Sequence, residues 1–214
     1  MTHVYPSADE LRAQRRAARA AGNRADILDS AERTFAEHGL EGSLREIAKN
    51  SGFSTAAIYN YFEGKQQLFA ETLSRRGVEL LEVINRAGSL AGEPMSRLHA
   101  IVDASIDFFE AYPYFLRMLR QVREADAIIP SIVTEYASDR VEEWTQSVAL
   151  MIGIIEEGQA AGEVRDGTPS ALLHFYMTLV YEHVFLAGSD SAASALTRHQ
   201  FHQLVDGALR TGAT

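Results

Sequence analysis

Between Ser43 and Phe62 the chain reads SLREIAKNSGFSTAAIYNYF, and five side chains there stand off an apolar stripe. Ser54, Thr55, Ala56, Tyr59 and Asn60 fall outside the face drawn by Ile58, Tyr61 and Phe62. Such a set suits recognition better than bond-making. The carboxamide of Asn60 carries a donor and an acceptor spaced to pair with the edge of adenine, and the methyls of Thr55 or Ala56 suit a thymine methyl. Ser43 and Arg45 would open a helix whose free amides favour anions, which fits phosphate.

Elsewhere the reactive residue types form no working set. Glu142-Glu143 and Glu156-Glu157 are adjacent acids, and Asp103 and Asp107 stand one turn apart; a solvated helix face explains them all. His199 and His202 stand three apart and His174 lies in an apolar run, but no third ligand occurs at a telling spacing. No metal site or cofactor is expected. The nucleophile elbow, the phosphate loop and the dinucleotide fingerprint are all missing, so catalysis is not supported.

The elements that must hold the recognition residues are two short helices. Ser43 and Glu46 have the spacing of a capping box, and Leu44, Ile47 and Ala48 start an apolar face. Gly52 interrupts the first helix, Ser54 or Thr55 caps the second, and the stripe of Ile58, Tyr61 and Phe62 carries that second helix to Phe62. Ala48 is small where the helices would cross, and Gly52 tolerates a positive φ. Paired helices joined by such a turn are the helix-turn-helix pattern, whose second helix lies in the major groove of DNA. The segment from Thr55 to Tyr61 is the part expected to enter it.

Residues 27–73 resemble the DNA-binding domain of the TetR family of bacterial transcriptional regulators. The likeness rests on Ile27-Leu28, Ala31, Phe35 and Gly39; on Leu44-Arg45-Glu46-Ile47-Ala48; and on Gly52-Phe53-Ser54, Ile58 to Phe62, Lys65 and Leu68-Phe69. It implies phosphate contacts for Tyr59 and Lys65, a double-stranded operator and a small-molecule effector as partners, and a homodimer. Ala56-Ala57 departs from the polar pair common among relatives, so DNA shape and the amino-terminal arm would supply more of the selectivity.

Composition fits this division. Net charge is −9, yet residues 1–76 hold eleven Lys/Arg against ten Asp/Glu, whereas residues 77–214 hold nine against nineteen. A cation-bearing end and an acidic remainder are expected, the latter screened beyond a Debye length of about 8 Å. Cysteine is absent. No secretory signal opens the chain, and Ala171 to Ala187 is broken by His174, Glu182 and His183, so no membrane span and a cytoplasmic, nucleoid-associated location are expected.

The expected fold is all-α: a basic arm (1–22), a three-helix DNA-binding domain (23–70) and a larger helical ligand-binding and dimerisation domain (71–214). The arm carries Arg12, Arg15, Arg16 and Arg19; it reads equally as a frayed terminus or as a phosphate-binding extension. Helices are expected over Arg24–His38, Lys65–Ala87, from Ser96 to Pro113, Phe115–Arg123, from near Ile132 to Gly158 or Gly162, from Pro169, and over Ala193–Thr211. Phe108, Tyr112, Met118, Trp144, Met151 and Tyr176 are candidates for one apolar ligand pocket. The helix after Thr168-Pro169 is apolar nearly all round, so Leu172, Phe175 and Leu179, with Phe201, Leu204 and Val205 of the last helix, are candidates for a two-fold interface. The sequence therefore reads as a homodimeric repressor, released from a pseudo-palindromic operator by a small lipophilic ligand. A constitutive DNA-binding dimer is the alternative, and a helical enzyme the least favoured reading.

Overall fold

The computed structural model describes residues 8–124, 141–188 and 196–211. The chain gathers into two compact units, Met1–Thr72 and Leu73–Thr214. Among the described residues every extended element is helical, and one isolated antiparallel bridge joins Val164 to Arg210.

In the first unit α1 runs from Ala8 to His38, well before the expected start at Arg24. Residues 14–22 of this helix are exposed, so an apolar stripe could not have revealed them. Alanine and arginine both have high intrinsic helix propensity, which favours the helix there. From Ile27 onward the helix has a buried face of Ile27, Leu28, Ala31 and Phe35. It ends where Gly39 turns to a φ of 57° and begins a 3₁₀ turn, Gly39–Glu41. Two short helices follow, α2 (Leu44–Ser51) and α3 (Thr55–Ile58). Then comes α4 (Lys65–Gly88), whose early residues Leu68 and Phe69 close this core. The rings of Phe35 and Phe69 meet edge to face with centroids 5.1 Å apart.

The second unit is built around α5 (Pro94–Ala111), which touches α6 (Pro113–Glu124), α7 (Val141–Ala160), α8 (Pro169–Ala187) and α9 (Arg198–Leu209). Its inner side carries Leu98, Ile101, Val102 and Phe109, all buried. The hydroxyl of buried Tyr176 on α8 donates to the Leu98 carbonyl at 2.8 Å and so ties α8 to α5. The helix start expected near Ile132 lies outside the described residues. Thr168 stands at the N-cap of α8 without a hydroxyl bond to the backbone. The last helix begins later than expected, at Arg198, because Thr197 and Gln200 form the reciprocal bonds of a capping box; residues 193–195 lie outside the described set. No helix among the described residues is long and apolar enough to cross a membrane.

Candidate nucleic-acid interface and ligand cavities

α2 starts with the Ser43 hydroxyl accepting from the Arg45 amide at 3.2 Å, a single cap in place of the expected box with Glu46. Ile47 and Ala48 are buried beneath it. Gly52 ends α2 in the left-handed region at φ 76°, where a side chain would be strained. The Phe53 amide then donates back to the Ala48 carbonyl at 2.9 Å, fixing the turn. Ser54 caps α3 through the Ala57 amide at 3.1 Å.

α3 is shorter than the stripe implied. After Ile58 the amides of Asn60 and Tyr61 reach back three residues, to Ala57 and Ile58, and the chain leaves the α-helical ladder. Tyr59, Asn60 and Tyr61 thus sit on a tight turn that continues α3 and ends at buried Phe62.

This arrangement leaves a distinct set of side chains facing outward. Tyr59 is 55% exposed, and Arg45, Ala56 and Asn60 are exposed as well. Thr55 is half-buried, as is Lys65, the first residue of α4. Ser43 and Ser54 spend a lone pair on their caps but keep a hydroxyl proton to donate. Tyr61 departs from expectation. It is half-buried, and its hydroxyl accepts from the Asn23 amide of α1 at 3.1 Å, so its polar end braces α3 against α1. Asn23 was invisible to a local reading because it lies far upstream. Arg24 also faces inward, pairing with Glu71 and lying 5.0 Å from the Phe62 ring centroid.

In the second unit the six pocket candidates do not converge. Phe108 and Tyr112 line a cleft of about 590 Å³ between α4 and α5, with Val83 and Ala87 on its α4 side and Glu79, Glu82 and Asp107 on its walls. Trp144 and Met151 line a different cavity, between α7 and α8. Met118 and Tyr176 are fully buried and line neither. A large apolar residue on a helix signals burial, but not whether neighbours fill the space beside it.

The interface candidates divide similarly. Phe175 is 64% exposed and Leu204 45%, while Leu172 and Leu179 are half-buried. Phe201 and Val205 are a correction: both are buried within their own unit, Phe201 stacked on the His183 ring at 4.1 Å between centroids. The stripe on α9 is its inward face, and Leu204 stands on the other side.

Several of the acids and one of the histidines weighed for catalysis hold helices together. Arg198 reaches Asp107 at 2.7 Å and Asp103 at 3.7 Å, and Glu157 pairs with Arg97. His202 turns away from any pairing with His199. Its ring stacks on His99 at 4.4 Å, with Asp103 3.0 Å from His202 and Asp206 3.0 Å from His99. Among the described residues no group of three possible ligands could hold a metal ion.

Two imidazoles, those of His99 and His183, point to a pH dependence of the unit. Burial holds His99 below its ordinary 6.5, with His202 and Arg210 acting the same way and Asp206 opposing. Burial and then Arg198 lower His183 too. Between the lowered values and 6.5 the folded chain binds fewer protons than the unfolded one, so stability falls as pH drops through that window. The thermal midpoint should be lower at about pH 5.5 than at about pH 7.5, with a shallower drop in His99→Gln/His183→Gln. An equally steep drop in that double variant would clear both imidazoles.

Comparison with known proteins bears on the reader at the amino end. Residues 27–72 match the profile of bacterial regulatory proteins, tetR family. The HTH-type transcriptional repressor SCO4008 of Streptomyces coelicolor is 27% identical over 157 residues, 72% of this chain and 73% of its own length. AcnR of Corynebacterium glutamicum, also an HTH-type transcriptional repressor, is 25% identical over 192 residues, 88% of this chain and 93% of its own. In fold, the chain is similar to the fatty acid degradation regulator FadR from Bacillus halodurans, with a TM-score of 0.71 at 19% identity over 87% of this chain and 99% of that one. Residues 27–72 thus form a DNA-binding region of the tetR family of bacterial regulatory proteins, and along most of its length the chain is similar to named transcriptional repressors.

Proposed function

We propose that the chain is a homodimeric repressor that leaves a pseudo-palindromic operator when a small lipophilic effector enters its helical domain. The observation that carries this reading is the capped α2–turn–α3 unit, which holds Arg45, Tyr59 and Asn60 outward while Ile47, Ile58 and Phe62 are buried. In this reading Thr55, Ala56 and Asn60 meet base edges, and Ser43, Arg45, Ser54, Tyr59 and Lys65 meet phosphates. Exposed Arg15, Arg16 and Arg19 on the first turns of α1 add phosphate contacts beside the groove.

Leu172, Phe175 and Leu179 of α8 and Leu204 of α9 would meet the same residues of a second copy about a two-fold axis. The effector would occupy the cleft that contains Phe108 and Tyr112, since α4 lines it and is one continuous helix back to Lys65. A ligand acts only through unequal affinity for the two states, and a coupling of about 1–3 kcal/mol changes operator affinity about 5–150-fold.

The test is recovery of bound duplexes from random fragments, followed by salt titrations on the recovered site. Two-fold symmetric sites are expected. Lys65→Ala should weaken binding to all sequences alike and flatten the log–log salt slope by about 0.9 for each phosphate no longer neutralised. An unchanged slope would show that Lys65 does not meet a phosphate.

A further inference from the structure

We propose that the cavity between α7 and α8 binds a small, neutral, flat aromatic molecule bearing a hydrogen-bond acceptor on one edge. The cavity measures about 330 Å³ and shares no lining residue with the α4–α5 cleft. That volume lies within the usual range of small-molecule sites.

The lining decides the ligand class. It contains no Asp, Glu, Lys or Arg, and its one histidine, His174, is exposed at the rim. A charged guest would lose hydration there without a counter-charge in return, so neutrality is selected. Trp144 sits on the α7 wall 47% exposed, and the thioethers of Met151 and Met177 also line the space. A flat ring gains from stacking on an indole and from sulfur contacts at its edge, more than an aliphatic guest of equal area.

The acceptor is called for by Tyr181. Its hydroxyl has no hydrogen-bond partner among the described residues, while burial pushes its pKa up and keeps it a protonated donor. The hydroxyl of Thr178, on the same helix, is already committed: it donates to the His174 carbonyl at 2.8 Å. Half-buried Tyr181 thus offers a hydroxyl proton that a ligand carbonyl or ring nitrogen would accept in place of water.

Trp144 is the chain's only tryptophan, so its emission reports directly on the cavity and needs no DNA. Full-length protein would be titrated with acetophenone, ethylbenzene, benzoate and benzylammonium. Acetophenone should change the emission saturably, ethylbenzene should bind about fivefold more weakly, and the two ions should give no saturable change. Tyr181→Phe should reduce acetophenone to the ethylbenzene level and leave ethylbenzene as it was. Val148→Phe, which fills the space, should abolish both. Absence of a saturable response to acetophenone, equal binding of either ion, indifference to Tyr181→Phe, or survival of binding in Val148→Phe would each overturn the assignment.

Discussion

Phe35→Ala should destabilise the DNA-binding unit by about 3–5 kcal/mol, the usual cost of emptying a phenylalanine site in a closed core. The ring is fully buried and meets Phe69 edge to face, so the variant loses burial and an aromatic pair together. Domains have only about 5–15 kcal/mol in hand, so this one change would leave the unit partly unfolded at modest temperature. Urea unfolding followed by far-ultraviolet circular dichroism, alongside operator binding, should show both signals fall. Exposed Arg33→Ala on the same helix serves as the control and should move neither. A Phe35→Ala midpoint within the range of surface substitutions would mean that the core collapses around the gap.

Asn60→Ala should lower affinity for the selected operator by about 1–3 kcal/mol per half-site, roughly 5–150-fold, while leaving non-specific binding in place. Asn60 is exposed, and its side-chain amide makes no hydrogen bond among the described residues, so the substitution would remove the proposed base contact without disturbing the fold. The decisive measurement is base preference. Changing each A·T pair of the half-site in turn should reveal one position at which the wild-type protein discriminates and the variant does not. If the variant keeps discrimination at every position, the adenine is read by another residue or through DNA shape.

The reader was legible because most of what shapes it is local. Caps at Ser43 and Ser54, the glycine at 52 and the spacing of Ile47, Ile58 and Phe62 all act within a few residues, which is the range over which sequence pattern carries structural meaning. Its finer shape was not legible. A stripe cannot distinguish an α-helical ladder from the tighter turn that ends α3, since both bring Ile58 and Phe62 to one side. Long-range partners were equally hidden: nothing near Tyr61 names Asn23, and nothing near His202 names His99. In the helical unit the pattern told that α9 buries one face, but not that the same chain provides the cover for Phe201 and Val205. The six pocket candidates failed to converge for a related reason: side-chain volume is encoded in sequence, and unfilled space is not.

Lys65 opens α4, at the end of a helix where unpaired amides already leave positive partial charge. A cation there is electrostatically misplaced in the free protein, at a cost of about 0.3–1 kcal/mol for an exposed helix terminus. A phosphate between the ammonium and those amides turns the conflict into attraction on both sides. With Lys65 meeting a phosphate as proposed, recognition and folding would make opposite demands on this one position: the side chain that grips the duplex would be a small burden on the unbound fold, relieved only when the anion arrives.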